Sequence, residues 1–195
     1  CDAQGHVLVE IEGLRLKPLA RTPDDGFYRL DWVPAERPEA ASAPSGDWLL
    51  LADQSGVAQA LATLLETRSQ RVTLAHTVVE AQEAVQRQAR AGSAFRGVVH
   101  LDSLDLPVEA SLDEMLAKGA GSAMALAQAL ARLPEAPRLW LVTSGVHTAG
   151  RTAAGSVAQA AVWGLGRSLA NEQPEFKTTL IDLDAPFQSP APVSA

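Results

Sequence analysis

The turn Asp53-Gln54-Ser55-Gly56 follows a short apolar run and precedes a helical pattern, so it stands where a strand-turn-helix unit would cradle a pyrophosphate. That chemistry needs several glycines, which let the backbone approach the phosphates and the helix pack close to the strand. Only Gly56 is present, and Asp53 puts a negative charge where a phosphate would sit. About 20 residues on, an acid for a ribose hydroxyl or an arginine for a 2′-phosphate should end the second strand. Ala75, His76 and Thr77 are found instead. A second glycine pair, Gly164 and Gly166, lies inside a helical pattern and follows no strand, so close helix packing beside Trp163 is its expected role.

Reduction by a tyrosine proton donor needs a lysine one helical turn away to lower its pKa. The single tyrosine, Tyr28, has Trp32 four places on, and the lysines are Lys17, Lys118 and Lys177. Ser144 ends a strand where a reductase could hold a serine, but alone it has nothing to position and is expected to turn the chain with Gly145. His76 and His100 also end strands, and Asp102 and Asp105 follow His100. These four could converge as metal ligands or an acid–base pair, although nothing in the spacing requires it. Ordinary polar residues on the rim are expected. His147, in the loop Ser144 to Gly150, is expected to be exposed. The chain has no serine-hydrolase elbow and no phosphate loop ending in Gly-Lys-Ser/Thr. No catalytic, cofactor-binding or metal-binding residue is therefore expected.

The elements that carry these residues repeat. Apolar runs too short for helices occupy residues 48–53, 72–76, 97–101, 138–143 and 179–183. Helical spacing covers residues 57–65, 79–91 (closed by Gly92), 122–133 and 157–171, with a helical turn over 111–118. Buried strands alternating with helices must run parallel, with right-handed crossovers. The expected fold is α/β, a truncated Rossmann-like doubly wound parallel sheet with an N-terminal extended β segment. That segment comprises an alternating strand over 7–17 with a bulge at Gly13, then a strand over Phe27–Val33 after the turn Pro23-Asp24-Asp25-Gly26. Residues 34–46 read as a loop.

With 195 residues the chain can bury a core without disulfides or metal, and its one cysteine, Cys1, can form neither a disulfide within the chain nor a cysteine metal site. A reducing cytoplasmic compartment fits this. A net charge of −7 argues against nucleic acid and anionic membranes as partners, and no apolar run approaches membrane-spanning length. The start at Cys rather than Met and the Pro/Ala/Ser stretch 186–195 are expected for a piece of a longer polypeptide.

The runs Trp48-Leu-Leu-Leu-Ala-Asp-Gln-Ser-Gly-Val-Ala, Gly97-Val-Val-His-Leu-Asp-Ser-Leu-Asp, Arg138-Leu-Trp-Leu-Val-Thr-Ser-Gly and Leu180-Ile-Asp-Leu-Asp, with Val157 to Glu175, resemble the structural subdomain of a ketoreductase from a type I polyketide synthase. Phe27-Tyr-Arg-Leu-Asp-Trp-Val-Pro resembles the first strand of that subdomain, and residues 5–19 resemble the final strand of a double hot-dog dehydratase. The resemblance implies a dehydratase tail and linker over 1–22, the ketoreductase structural subdomain over 23–185 and a linker over 186–195. It also implies a non-catalytic half that binds no cofactor and braces a catalytic half, with NADPH and phosphopantetheine belonging to the parent multienzyme. Its partners would be the catalytic ketoreductase half, the neighbouring dehydratase, an enoylreductase between the two halves and an acyl carrier protein. The alternatives are an NADP-dependent oxidoreductase half and a small-ligand or regulatory domain of flavodoxin type.

Overall fold

The computed structural model describes residues 32–36, 44–107, 109–147 and 156–184. The chain divides into two compact units, Cys1–Ala35 and Glu36–Ala195. Of the first unit only residues 32–35 are described; their backbone is irregular and Trp32 is half exposed. Trp32 and Val33 therefore do not continue the expected strand, while residues 27–31, like the strand over 7–17, lie outside the described residues.

The second unit holds a five-stranded, all-parallel sheet in the order β2-β1-β3-β4-β5, with β1 at Asp47–Leu51, β2 at Arg71–Ala75, β3 at Phe95–His100, β4 at Arg138–Ser144 and β5 at Thr179–Leu183. Leu49, Leu50 and Leu51 are all fully buried, as a central strand covered on both faces requires. The helices are α1 (Val57–Glu66), α2 (Val78–Arg90), α3 (Leu112–Glu114), α4 (Gly121–Leu130) and α5 (Val157–Glu172). Alternation along the strands splits the core in two. Leu49, Leu51, Val98, Leu139 and Leu141 face α2, α4 and α5 through Val85, Leu126 and Val162. Leu50, Val99 and Val142 face the other way, where α1 supplies Ala58 and Ala62. This order is a doubly wound one, and it is also what a Rossmann order 3-2-1-4-5-6 becomes on losing strand 3.

Between α3 and α4, Met115–Ala120 forms a π-type turn broken by a kink at Gly119, whose φ of −98° and ψ of −110° are not helical. The expected turn over 111–118 and the helix expected from Ser122 are therefore separate pieces, the second beginning at Gly121. Glycine makes the kink feasible: a Cβ on Gly121 would lie 1.9 Å from the Leu116 carbonyl oxygen. The start is fixed by a capping box, in which the Ser111 hydroxyl accepts from the Glu114 amide and the Glu114 carboxylate accepts from the Ser111 amide. Gly166 lets α5 settle onto the sheet, since a Cβ there would meet Leu180 Cδ2 at 2.3 Å. Gly164 has nothing within 4 Å of a Cβ position and faces outward, so only one glycine of the pair serves packing.

Candidate functional site

Ligands of doubly wound sheets bind beyond the carboxyl ends of the strands, where the order reverses; here that is between β1 and β3. Two turns line this crevice, Asp53–Gly56 after β1 and the 3-10 turn Asp102–Asp105 after β3. Gly56 adopts φ 93°, which favours glycine, and as the N-cap of α1 it has no side chain to satisfy the first amides of the helix. Asp53 supplies the acceptors from three residues upstream. Its carboxylate accepts from the Val57 amide at 3.1 Å, the Ala58 amide at 2.7 Å and the Ser55 hydroxyl. The Gln54 amide donates to Asp105 Oδ1 at 2.7 Å, and Lys118 pairs with Asp105 Oδ2 at 3.4 Å. The amides a pyrophosphate would use are thus held by the chain's own carboxylates. Asp102, largely buried beside them, has its pKa raised by desolvation, partly offset by Ser122 and by the Lys118 charge.

The end of β2 is spent on capping as well. The Thr77 hydroxyl accepts from the Glu80 amide at 3.1 Å, and the Glu80 carboxylate accepts from the His76 amide at 2.8 Å. His76 is exposed there. His100, fully buried, turns towards α4, with Nε2 2.7 Å from Ser122 Oγ. The Ser122 hydroxyl also lies within donating distance of the Lys118 and Gly119 carbonyl oxygens, at 2.9 and 3.2 Å. The His100 pKa is lowered by burial to about 4, which keeps the ring neutral. His76 and His100 therefore do not converge, and among the described residues no group of three His, Cys, Asp or Glu could hold a metal. His100 is a core residue rather than part of the rim.

A second polar cluster closes the ends of β4 and β5. Trp163 Nε1 donates to Thr143 Oγ1 at 2.7 Å, and Thr143 Oγ1 donates to Asp182 Oδ1 at 2.8 Å. Asp182 also accepts from the Val146 and His147 amides, at 3.1 and 2.8 Å. The Ser144 amide donates to Gln159 Oε1 at 2.9 Å. Where a reductase would hold reacting groups, these side chains tie the β4 turn to α5. His147 is half-buried, its ring edge-on to Trp163 with centroids 4.2 Å apart, which corrects the expected exposure. Neither described lysine stands by Ser144: Lys118 pairs with Asp105, and Lys177 precedes β5 at the amino end of the sheet. Tyr28 and Lys17 lie outside the described residues. Sequence patterning missed Asp182, for which an acid interrupting the apolar run Leu180–Leu183 was the available signal. It named Asp105 only as a candidate ligand or acid–base partner beside His100, not as the acceptor of the Gln54 amide.

Residues 30–195 match the family model described as "Polyketide synthase extender module SpnB, Rossmann fold domain". Among curated proteins, the chain is 34% identical over 178 residues to the pikromycin polyketide synthase component PikAII of Streptomyces venezuelae, and 29% identical over 207 residues to a phenolphthiocerol/phthiocerol polyketide synthase of Mycobacterium tuberculosis. These alignments cover 82% and 92% of the chain but only 5% and 11% of the relatives, so it spans a small part of their length. A C2-type ketoreductase from a modular polyketide synthase superposes with a TM-score of 0.57 at 31% identity, covering 74% of this chain and 33% of that one. A multidomain structure with adenylation, ketoreductase and pseudo-Asub parts, from a keto acid-selecting NRPS module, gives 0.68 at 18% identity, covering 84% and 15%; it supports the fold alone. The chain belongs to the family of Rossmann-fold domains of polyketide synthase extender modules.

Proposed function

We propose that this domain is a non-catalytic scaffold, the structural half of a ketoreductase region in a polyketide synthase, and that it braces the catalytic half without binding a nucleotide. One observation carries this reading. Asp53 and Asp105 occupy the helix and turn amides at the β1–β3 crevice, so a bound pyrophosphate would have to displace two carboxylates and face their charge. The residues at this crevice do not fit NADPH. The Thr143–Trp163–Asp182 cluster supports the same reading at the second position where a reductase would act. NADPH and the phosphopantetheine arm belong to the parent multienzyme in this proposal, alongside the catalytic ketoreductase half, a dehydratase, an enoylreductase and an acyl carrier protein.

Burial narrows where the catalytic half can make contact. The apolar side of α5 is consumed by its own sheet: Val162 and Leu169 are in the core and Trp163 is 9% exposed. Trp163 cannot anchor a partner without leaving that core. Among the described residues β5 is an edge strand with Ile181 exposed, and it is where the proposal places the contact. Two experiments test the proposal. Calorimetric titration with NADPH should give no heat, and a dissociation constant in the low micromolar range would overturn it. The catalytic half of the same multienzyme, co-expressed with and without this chain, should gain soluble yield and NADPH-dependent reduction of trans-1-decalone. Equal yield and activity in both samples would remove the scaffold role, and reductase activity of this chain alone would overturn the assignment.

A further inference from the structure

At the amino ends of the strands, opposite the filled crevice, lies a groove of about 460 Å³ whose floor is a pair of indoles. Trp48 of β1 and Trp140 of β4 meet across the intervening strand β3, ring centroids 5.1 Å apart. They can do so only because residue 97 is glycine: a Cβ there would lie 2.4 Å from the Trp140 ring and 2.7 Å from the Trp48 ring. Both indoles remain partly open although they sit on central strands. Their positions are fixed, with Trp48 Nε1 donating to Gln70 Oε1 at 3.2 Å and the Arg138 guanidinium lying 5.0 Å over the Trp140 ring.

The rim is cationic. Arg138 donates to Thr179 Oγ1 at 3.0 Å and Arg96 donates to the Pro44 carbonyl at 3.0 Å, so both guanidiniums are held in place by neutral acceptors. Lys177 completes the set, against two carboxylates, Glu135 and Glu175. Three cations to two anions make this groove positive on a chain of net charge −7. Tryptophan and arginine on rigid strands are the residue types that dominate binding at interfaces, and side chains already immobilised lose little entropy when a partner arrives.

We infer that this groove docks a polypeptide segment that sets an aliphatic or aromatic side chain on the Trp48–Trp140 floor and a carboxylate against Arg96, Arg138 and Lys177. The proposed scaffold role supplies only the source of that segment, the remainder of the parent multienzyme chain. The mixed charge of the rim favours a peptide over a small polyanion, which Glu135 and Glu175 would repel.

The test uses overlapping synthetic peptides covering the parent chain outside residues 1–195, probed with the 195-residue protein. A variant carrying Arg96→Glu, Arg138→Glu and Lys177→Glu is measured beside it, with its melting temperature confirming the fold. The expected result is binding to a small set of peptides in which an acid neighbours an apolar residue. Affinity should fall about tenfold or more in the variant, and in the unaltered protein as salt rises from 0.15 to 1 M, because the Debye length drops from about 8 to about 3 Å. Capture of no peptide, capture of basic peptides, or equal affinity of the variant would each overturn the inference. The scaffold reading is judged separately by the co-expression assay, so either can fail without the other.

Discussion

Replacing Asp53 tests the account of the filled crevice most directly. Asp53→Ala removes the acceptors of the Val57 and Ala58 amides, while Gly56 has no side chain to replace them. Loss of a helix cap costs about 1 kcal/mol, and stranding a second amide in a site that is only 7% exposed adds about 1–2 kcal/mol. At about 2–4 °C per kcal/mol for a domain of this size, the melting temperature should fall by roughly 5–10 °C. Asp53→Asn keeps one acceptor oxygen and should lose about half as much. Thermal melts followed by circular dichroism read both. Neither variant should acquire NADPH binding, because Asp105 still holds the Gln54 amide and the glycines are still missing. If Asp53→Ala melted within about 1 °C of the parent, the carboxylate would not be satisfying the helix and its capping role would be refuted.

The two glycines of α5 should respond with opposite signs: Gly164→Ala, outward-facing, should stabilise by up to about 1 kcal/mol, whereas Gly166→Ala should destabilise by about 1–3 kcal/mol as Leu180 is pushed aside. Gly97→Ala should cost at least as much, since the Cβ would strike two indole rings held between strands; urea denaturation compares all three. Trp163→Phe keeps a six-membered aromatic ring but removes the pyrrole ring and its N–H donor to Thr143 from a buried site, and should cost at least about 1–2 kcal/mol. His100, with a folded pKa of about 4 against 6.5 in the unfolded chain, binds its proton first in the unfolded state, so stability is full above about pH 6.5 and falls as pH drops towards 4. The loss is up to about 3 kcal/mol. Asp102, whose pKa is raised, acts with the opposite sign, so the His100 contribution is read as the difference between the parent and His100→Gln across that range; parallel stability curves would contradict it.

The strand-by-strand architecture was legible because each strand is a short apolar run that must be buried on both faces, and such runs separated by amphipathic helices admit few sheets. The two helical pieces ahead of β4 were legible, but the π-type turn and the kink at Gly119 that join them were not, since they have no periodic signature and depend on glycines whose role is visible only against the Leu116 carbonyl. At the crevice, Asp53 could be read as hostile to phosphate from charge and position alone. Its other role, capping α1, depends on where its carboxylate points. The bond from Gln54 to Asp105 joins residues 51 apart in the chain, and no spacing rule reaches that far. His100 was misread for a related reason. A strand-end histidine belongs to the rim only if its side chain turns towards solvent, and here the Ser122 hydroxyl on α4 provides a partner inside the core.

Under the scaffold proposal, these internal partners take the place that a nucleotide holds in a dinucleotide-binding sheet. The N-terminus of a helix leaves its first amides without partners, and in a dinucleotide site the phosphates help to satisfy them. A sheet that merely lost its ligand would keep that deficit. Here Asp53 fills it at α1, Asp105 at the adjoining Gln54 amide, and Asp182 at the two amides following β4. Three carboxylates thus satisfy backbone amides of the loops at the carboxyl edge. Under the scaffold proposal, folding of this domain should not respond to NADPH concentration, whereas a half that binds the cofactor gains stability as it loads. A brace that is already rigid before its neighbour binds substrate or cofactor is the behaviour the scaffold proposal requires.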